Sequence, residues 1–365
     1  MKAFQNLKKI TSSTLERIKI PIMKKLKWFD KGVFVFNILA AAALLMAYLL
    51  PFIPPKTFPF LSILSLGMPA LISLNILFAV YWGIRFKIQF LLSLIVLLIG
   101  FTHLSSLMRI SFQEGPKDKQ AFSTLSILSY NVRLFNKFEW IEDRDIKTEI
   151  IDFVENEDPD IFLAQEFMEA TADDFNYFKF HHIYQNDDGD PGQAIFTNQK
   201  IVNKGIIDFQ NSANRAIYAD ILFNNDTIRV FNLHLESLKI ESKVEELRKE
   251  DGKKLISRVG HSFVLQQRQT KKMLVKMKAT PYKIILGGDF NNSAFSYVYR
   301  QLSNDLKDSF KEAGQGFGRT FVFDFIPIRI DFLLVDPGFE VLSFKNYDIQ
   351  LSDHYPIKAE LGLKN

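Results

Sequence analysis

Three long runs without a charged side chain constrain this chain more than any other feature: Val33 to Pro54, Phe58 to Trp82 and Ile88 to Met108. Each approaches the ~20 residues that an α-helix needs to cross the hydrocarbon core of a bilayer, and a buried soluble helix seldom stays charge-free for so long. The first run lies too deep in the chain to be a cleaved signal peptide, and no small-residue cleavage pattern follows it. Three transmembrane helices over residues 31–108 are therefore expected. Loop charge orients them. The segment 1–30 carries Lys2, Lys8, Lys9, Arg17, Lys19, Lys24, Lys25 and Lys27, and the second loop holds Arg85 and Lys87, whereas the first loop has only Lys56. By the positive-inside rule the N-terminal segment is cytoplasmic, and everything after the third crossing is extracytoplasmic.

Charge divides the chain at the same place. Residues 1–112 hold 13 Lys and Arg against Glu16 and Asp30, and the other 253 residues hold 32 against 39 Asp and Glu. The net charge of +4 thus joins a basic membrane-proximal part to an acidic remainder. An acidic domain lacks the footprint of a protein that binds tightly and non-specifically along a nucleic acid backbone. With no cysteine, disulfides, thiolate metal sites and Cys nucleophiles are excluded. Residues 109–122 are polar, contain Gly115-Pro116, and read as a short linker.

From residue 123 the pattern changes to short runs rich in β-branched and aromatic residues, interspersed with helical stretches. Strand-like runs end in polar groups: Leu125–Val132 reaches Asn131 and Arg133, Ile161–Ala164 reaches Glu166, Thr227–Leu235 carries Asn232 and His234 on one face, and Ile328–Leu334 bears Asp331. The run Ile284-Ile285-Leu286 leads into Gly287-Gly288-Asp289-Phe290-Asn291-Asn292, and Ser352-Asp353-His354 precedes the last strand. Residues 236–278 read as helix, loop, helix. No linker interrupts 123–365, so one domain is expected, of α+β class, with two packed β-sheets flanked by helices. Polar groups dispersed in sequence but all at strand ends imply sheets that gather them at one edge.

The gathered residues are Asn131, Glu166, His234, Asp289, Asn291, Asp331, Asp353 and His354. Carboxylate and amide oxygens suit Mg²⁺ or Mn²⁺ better than zinc. Two histidines beside such an ion fit attack of water on a phosphate ester. Arg133 and Arg215 are candidates for clamping phosphate, with simple ion pairing the alternative.

These motifs carry a resemblance. Ser129-Tyr130-Asn131-Val132-Arg133, Leu163-Ala164-Gln165-Glu166, Gly192-Gln193-Ala194-Ile195, Asn232-Leu233-His234-Leu235, Gly288-Asp289-Phe290-Asn291, Arg329-Ile330-Asp331-Phe332 and Ser352-Asp353-His354-Tyr355-Pro356 stand in the order of the endonuclease/exonuclease/phosphatase superfamily, which the chain resembles over residues 123–362. The resemblance implies a DNase I-like four-layer sandwich and a metal-dependent phosphoesterase. It implies Glu166 as principal metal ligand, with Asn131 arranging metal and phosphate and Asp353 at a second metal or the nucleophile. Asp289 would orient or deprotonate water, Asn291 would hold a phosphate oxygen, Asp331 would fix the tautomer of His354, and His234 would stabilise phosphoryl charge. Whether Asp289 or His354 is the base stays open. Arg133 stands where family members acting at abasic sites have Asp, which places the chain nearer the DNase I and sphingomyelinase branches. The implied partners are the lipid bilayer and a phosphate-ester substrate, whether lipid, nucleic acid or small molecule, and nothing points to a protein partner. The alternatives are a nuclease acting on extracytoplasmic nucleic acid and a catalytically silent membrane-tethered binding module.

Overall fold

The computed structural model describes residues 26–109, 122–185, 191–240, 245, 249–324 and 327–364. Most of the basic segment 1–30 and of the linker 109–122 lies outside them. The chain divides into two compact units, one of residues up to Leu49 with Gly67–Thr102, the other of Leu50–Leu66 with His103–Asn365.

The first unit holds the helices α1 (Trp28–Leu49), α3 (Met68–Ile84) and α4 (Phe90–Ile99). The expectation of three long spans is corrected here: among the described residues one helix, Trp28–Phe52, is by itself long and apolar enough to cross a membrane, or two if the broken pair Pro59–Ser65 and Met68–Ile84 counts as one. The second run breaks at Gly67, where Pro69 takes the first turn of α3 and cannot donate the backbone bond that would continue a helix from residue 65. The third ends after ten residues at Gly100, and Phe101–Leu107 (α5) follows. Charge-free composition marks apolarity, and it does not measure helix length.

Polarity in this unit is inverted relative to a water-soluble bundle. Asn37, Asn75, Ser93 and Trp82 are fully buried, whereas Phe36, Leu39, Leu77 and Leu98 are each more than half exposed. Asn37 donates to Ser93 Oγ at 2.6 Å and accepts from Trp82 Nε1 at 3.1 Å, and Ser93 donates to Asn75 Oδ1 at 3.1 Å. Interhelical amide and hydroxyl bonds with an apolar exterior are how helices associate in lipid. At one end, Asp30 in the first turn of α1 pairs with Arg85 at 2.9 Å, just past α3, and accepts from Tyr81.

Among the described residues the second unit contains α2 (Pro59–Ser62) and α5 from His103 onward, then twelve strands in two mixed sheets. The strands are β1 (Phe122–Asn131), β2 (Ile161–Phe167), β3 (Phe180–Tyr184), β4 (Gly192–Thr197), β5 (Ile201–Asp208), β6 (Arg215–Phe223), β7 (Asp226–His234), β8 (Lys283–Asp289), β9 (Lys307–Asp308), β10 (Asp331–Val335), β11 (Glu340–Asn346) and β12 (Ile357–Lys364). Their order is β11-β12-β1-β2-β4-β3 in one sheet and β5-β6-β7-β8-β10-β9 in the other. Each sheet has one parallel pair at its centre, β1/β2 and β7/β8. A parallel pair needs a crossover. The crossovers are α6 (Ile146–Glu157) and α7 (Gly252–Lys278), one on each outer face, so helix, sheet, sheet and helix form four layers. Of the stretch expected as helix, loop, helix, residues 241–244 and 246–248 lie outside the described residues, and its second part is the 27-residue α7, capped by Asp251, whose side chain accepts from the Lys254 N–H.

Alternation along the strands builds the layers. Ile127, Leu163 and Ile195 face Ile217, Val230, Ile285 and Leu333 between the sheets. Tyr130, Phe162 and Phe196 meet Ile146, Ile150 and Val154 of α6, and Phe231, Leu233 and Leu286 meet Met273 and Met277 of α7. One polar bridge crosses the inner layer. Buried Asn232 donates to the carbonyls of Ala164 at 2.8 Å and Ala194 at 2.9 Å and accepts from Gln165 at 2.7 Å. Asn232→Leu should cost about 1–3 kcal/mol of stability because those partners stay buried without a bond; denaturant titration of the solubilised chain would show it as a lowered midpoint with unchanged slope.

Candidate active site

The C-terminal ends of both parallel pairs carry the expected polar residues, and local backbone features aim them inward. At Glu166 the β2–β4 register slips: Gln165 faces Gln193 and Phe167 faces Gly192, which leaves Glu166 as an extra residue with φ of 51°. Such a bulge redirects one side chain, here toward the β1 tip. At Gly288, with φ of +131°, a Cβ would lie 2.0 Å from the Leu233 carbonyl oxygen, so only glycine lets β8 run this close to β7. The consequence is that His234 and Asp289 are register partners, and Asp289 also faces Asp331 across β8–β10.

Asp289 is the hub. Its Oδ1 accepts from the Asn291 N–H at 2.7 Å, and its Oδ2 accepts from Asn131 Nδ2 at 3.1 Å and lies 3.6 Å from the Nε2 atoms of both His234 and His354. Asn131 also donates to Glu166 Oε1 at 3.2 Å, and His234 lies 4.0 Å from the same oxygen. Both carboxylate oxygens of Asp331 approach His354 Nδ1, at 2.9 and 3.2 Å. Asp353 pairs with Arg133 Nε at 3.3 Å. Asn291 donates through Nδ2 to the Leu235 carbonyl. Seven of the eight strand-end residues thus form one continuous network. Asp353 joins it through Arg133, whose N–H donates to Asn131 Oδ1 at 3.1 Å and whose guanidinium stacks on Trp140, whereas Arg215 stacks on Tyr184, donates to the Ala213 carbonyl and approaches Asp208.

Several supporting residues make bonds that the sequence did not announce, Ser352 of the Ser352-Asp353-His354 motif among them. Thr320 Oγ1 accepts from the N–H groups of Ile330 and Asp331, and its carbonyl accepts from Tyr355. Ser352 Oγ donates to the Asn131 carbonyl and accepts from the His354 N–H, tying the last loop to the β1 tip. Gln266, on α7, donates to the carbonyls of Glu236 and Asn291 and accepts from Asn292. No residue spacing announces a side chain whose partners are distant backbone groups.

Burial and charge set the protonation of the cluster. Burial lowers His234 to about 3, with His354 adding repulsion, so its imidazole is neutral. Burial alone would lower His354, but the carboxylates of Asp331 and Asp289 outweigh it and hold the ring protonated well above its ordinary range. Glu166 is raised by burial and by Asp353, with His354, Asn131 and Arg133 opposing. Four carboxylates, from Glu166, Asp289, Asp331 and Asp353, face one guanidinium and one imidazolium. Burial raises Asp289 to about 8 against the pull of His354, and the oxygen-rich donors fit a divalent cation, whose charge would favour the ionised carboxylates. Asp289, Asp331 and His354 could also present one ligand atom each within 4.8 Å of one another. Asp331, however, spends both oxygens on His354, and Glu166 is the more open carboxylate, with 27% of its side chain exposed.

A two-sheet sandwich with carboxylates, amides and a carboxylate-bound histidine at one edge defines a phosphoesterase class. A model of the endonuclease/exonuclease/phosphatase family matches residues 128–354. The chain belongs to that family and is a hydrolase acting on phosphoric ester bonds. A second model, described as a domain of unknown function, matches residues 30–107. No curated protein matches the chain. Among solved structures, an endonuclease/exonuclease/phosphatase family protein from Bacteroides thetaiotaomicron is 22% identical with a TM-score of 0.52, over 67% of this chain and 99% of that one. D. rerio TDP2 complexed with single strand DNA product is 18% identical with a TM-score of 0.51, over 66% and 99%. A family protein from Bacteroides vulgatus gives the same values. These likenesses establish the fold.

The sign of the His354 shift gives a pH test. A pKa raised on folding contributes stability that is full below the ordinary imidazole value of ~6.5 and fades as pH rises through the folded value. Asp331→Asn should therefore destabilise the protein most below about pH 6.5, and NMR titration should show the His354 ring releasing its proton at lower pH than in the parent.

Proposed function

We propose that the protein is a membrane-anchored, divalent-cation-dependent phosphoesterase that directs water onto a phosphodiester or phosphomonoester. The observation that carries this reading is the position of Asp289 Oδ2 between Asn131, His234 and His354, with His354 locked by Asp331. Glu166, with Asn131 and Asp353 beside it, would hold Mg²⁺ or Mn²⁺, which when bound supplies positive charge against the phosphate oxygens. The chain's own groups do the rest. Because Asp331 keeps His354 protonated, His354 is the cation that faces the phosphoryl group, and Asp289 is the proton acceptor. The water oxygen bonds to phosphorus, its proton passes to Asp289 Oδ2, and the bond from phosphorus to the leaving-group oxygen breaks. Neutral His234 donates to a phosphoryl oxygen, and Asn291, oriented by its bond to Leu235, holds another.

Membrane placement is supported by chain tracing. Residues 67–102 leave the catalytic unit at Leu66 and rejoin it at His103. They therefore return to the side of the bilayer from which they leave. If α1 spans, the N-terminal segment and the catalytic domain lie on opposite faces, and the lysines put the domain outside the cytoplasm. The inverted polarity around Asn37 and the pairing of Arg85 with Asp30 agree with a hairpin that runs beside α1 within the bilayer.

The test is hydrolysis of a generic phosphodiester by the full chain in nanodiscs. Activity should require Mg²⁺ or Mn²⁺ and vanish in EDTA, and Asp289→Ala and His354→Ala should each lower kcat by about 10²- to 10⁴-fold; full activity in either variant would contradict the mechanism. Since D. rerio TDP2 was solved with single strand DNA product, DNA belongs in the substrate panel beside RNA, sphingomyelin and phosphoinositides. A periplasmic-type reporter fused after residue 365 should be active, and activity of a cytoplasm-only reporter would overturn the topology.

A further inference from the structure

The segment Leu50–Leu66, which joins α1 to α3, packs as part of the catalytic unit. Its side chains Ile63 and Leu66 pack on Leu238, Val259 and Phe263, and the Lys56 N–H donates to Gln267 Oε1 at 2.8 Å. Pro59 fits against Gly260 of α7 so closely that a Cβ on the glycine would lie 3.2 Å from the proline Cβ. Two further contacts reach the loop directly after Asn291-Asn292: Ser293 Oγ donates to the Ser65 carbonyl at 3.4 Å, and Arg300, in α8 (Tyr297–Leu302), lies over the Phe52 ring at 4.0 Å. On its other side the same loop is met by the chain entering from α5, where the His103 ring packs on Phe295 at 6.3 Å. Both segments that come from the membrane region therefore grip residues 293–300.

Gln266 carries that grip to the site. It is fully buried next to Gln267, and all its bonds go to the rim of the active site: Nε2 to the carbonyls of Glu236 at 2.7 Å and Asn291 at 3.1 Å, Oε1 from Asn292 Nδ2 at 2.7 Å. Asn291 needs such support because it sits in the left-handed region with φ of 47° and its N–H holds Asp289.

We propose that Leu50–Leu66 is a strut that sets the Asn291 loop, with Gln266 as the positioning residue, so that membrane attachment and catalytic geometry are coupled through α7. This rests on the phosphoesterase reading. A strut matters because a shift on the order of 1 Å in a positioned group can cost ~10²-fold in rate. Neither Gln266 nor the strut touches substrate, so their loss should lower kcat and spare KM.

The absence of cysteine makes a direct test possible in the full chain in nanodiscs. Pro59→Cys with Gly260→Cys should form a disulfide on mild oxidation and keep the parent kcat, since the bond fixes the contact already present. Gly260→Leu, which puts a side chain where Pro59 lies, and Gln266→Leu should each lower kcat on a soluble diester by tenfold or more with KM within about twofold. Amide hydrogen exchange, which needs no activity, should quicken at residues 291–296 in Gly260→Leu and stay unchanged in β1 and β2. Failure of the crosslink, parent-level kcat in both leucine variants, or unchanged exchange at 291–296 would overturn the strut while leaving the catalytic reading intact; an inactive parent protein would defeat that reading, and the crosslink and exchange would still decide the strut.

Discussion

The carboxylate of Asp289 is almost wholly buried, and burying a charge without partners is one of the costliest acts in folding. Its partners come from strands and loops up to 158 residues away: Asn131 from the β1 tip, His234 from β7, Asn291 from its own loop and His354 from the approach to β12. The two sheets must therefore be stacked in one register for the cluster to exist. Asn232 and Gln165, bonded across the inner layer just beneath, hold that register, and Gly288 permits the close approach of β7 and β8. The same convergence that satisfies Asp289 gathers four carboxyl groups beside Arg133 and His354.

The first unit follows the opposite rule. Its amides and hydroxyls turn inward and its leucines and phenylalanines outward, which is stable where the surroundings are as apolar as the side chains. Leu50–Leu66, which follows α1 in the chain, belongs to the second unit and packs on α7. Within the second unit, residues 293–300 are met by Ser65, Phe52 and His103, beside the loop that carries Asn291.

Much of the fold and the site was legible because strand-end chemistry is local. Asn131, Glu166, Asp289 and His354 each follow a β-rich run, and the structure gathers them at one edge as that pattern requires. Arg215 also borders a strand, and its guanidinium stacks on Tyr184. Helix lengths in the apolar third were misjudged, although Gly67, Pro69 and Gly100 stand in the sequence, because counting uncharged residues ignores what proline and glycine do to a backbone ladder. Thr320 and Gln266, and the partners of the motif residue Ser352, were illegible for another reason. Each of these side chains acts on backbone groups, several of them far along the chain, and only the tertiary register decides which hydroxyl or amide meets them.

The central claim is that this cluster directs water onto phosphorus. Hydrolysis of a phosphodiester in ¹⁸O-enriched water, followed by mass spectrometry of both products, tests it most directly. The account predicts one ¹⁸O on the phosphate-bearing product and none on the released alcohol; label in the alcohol, or label in neither product, would contradict it.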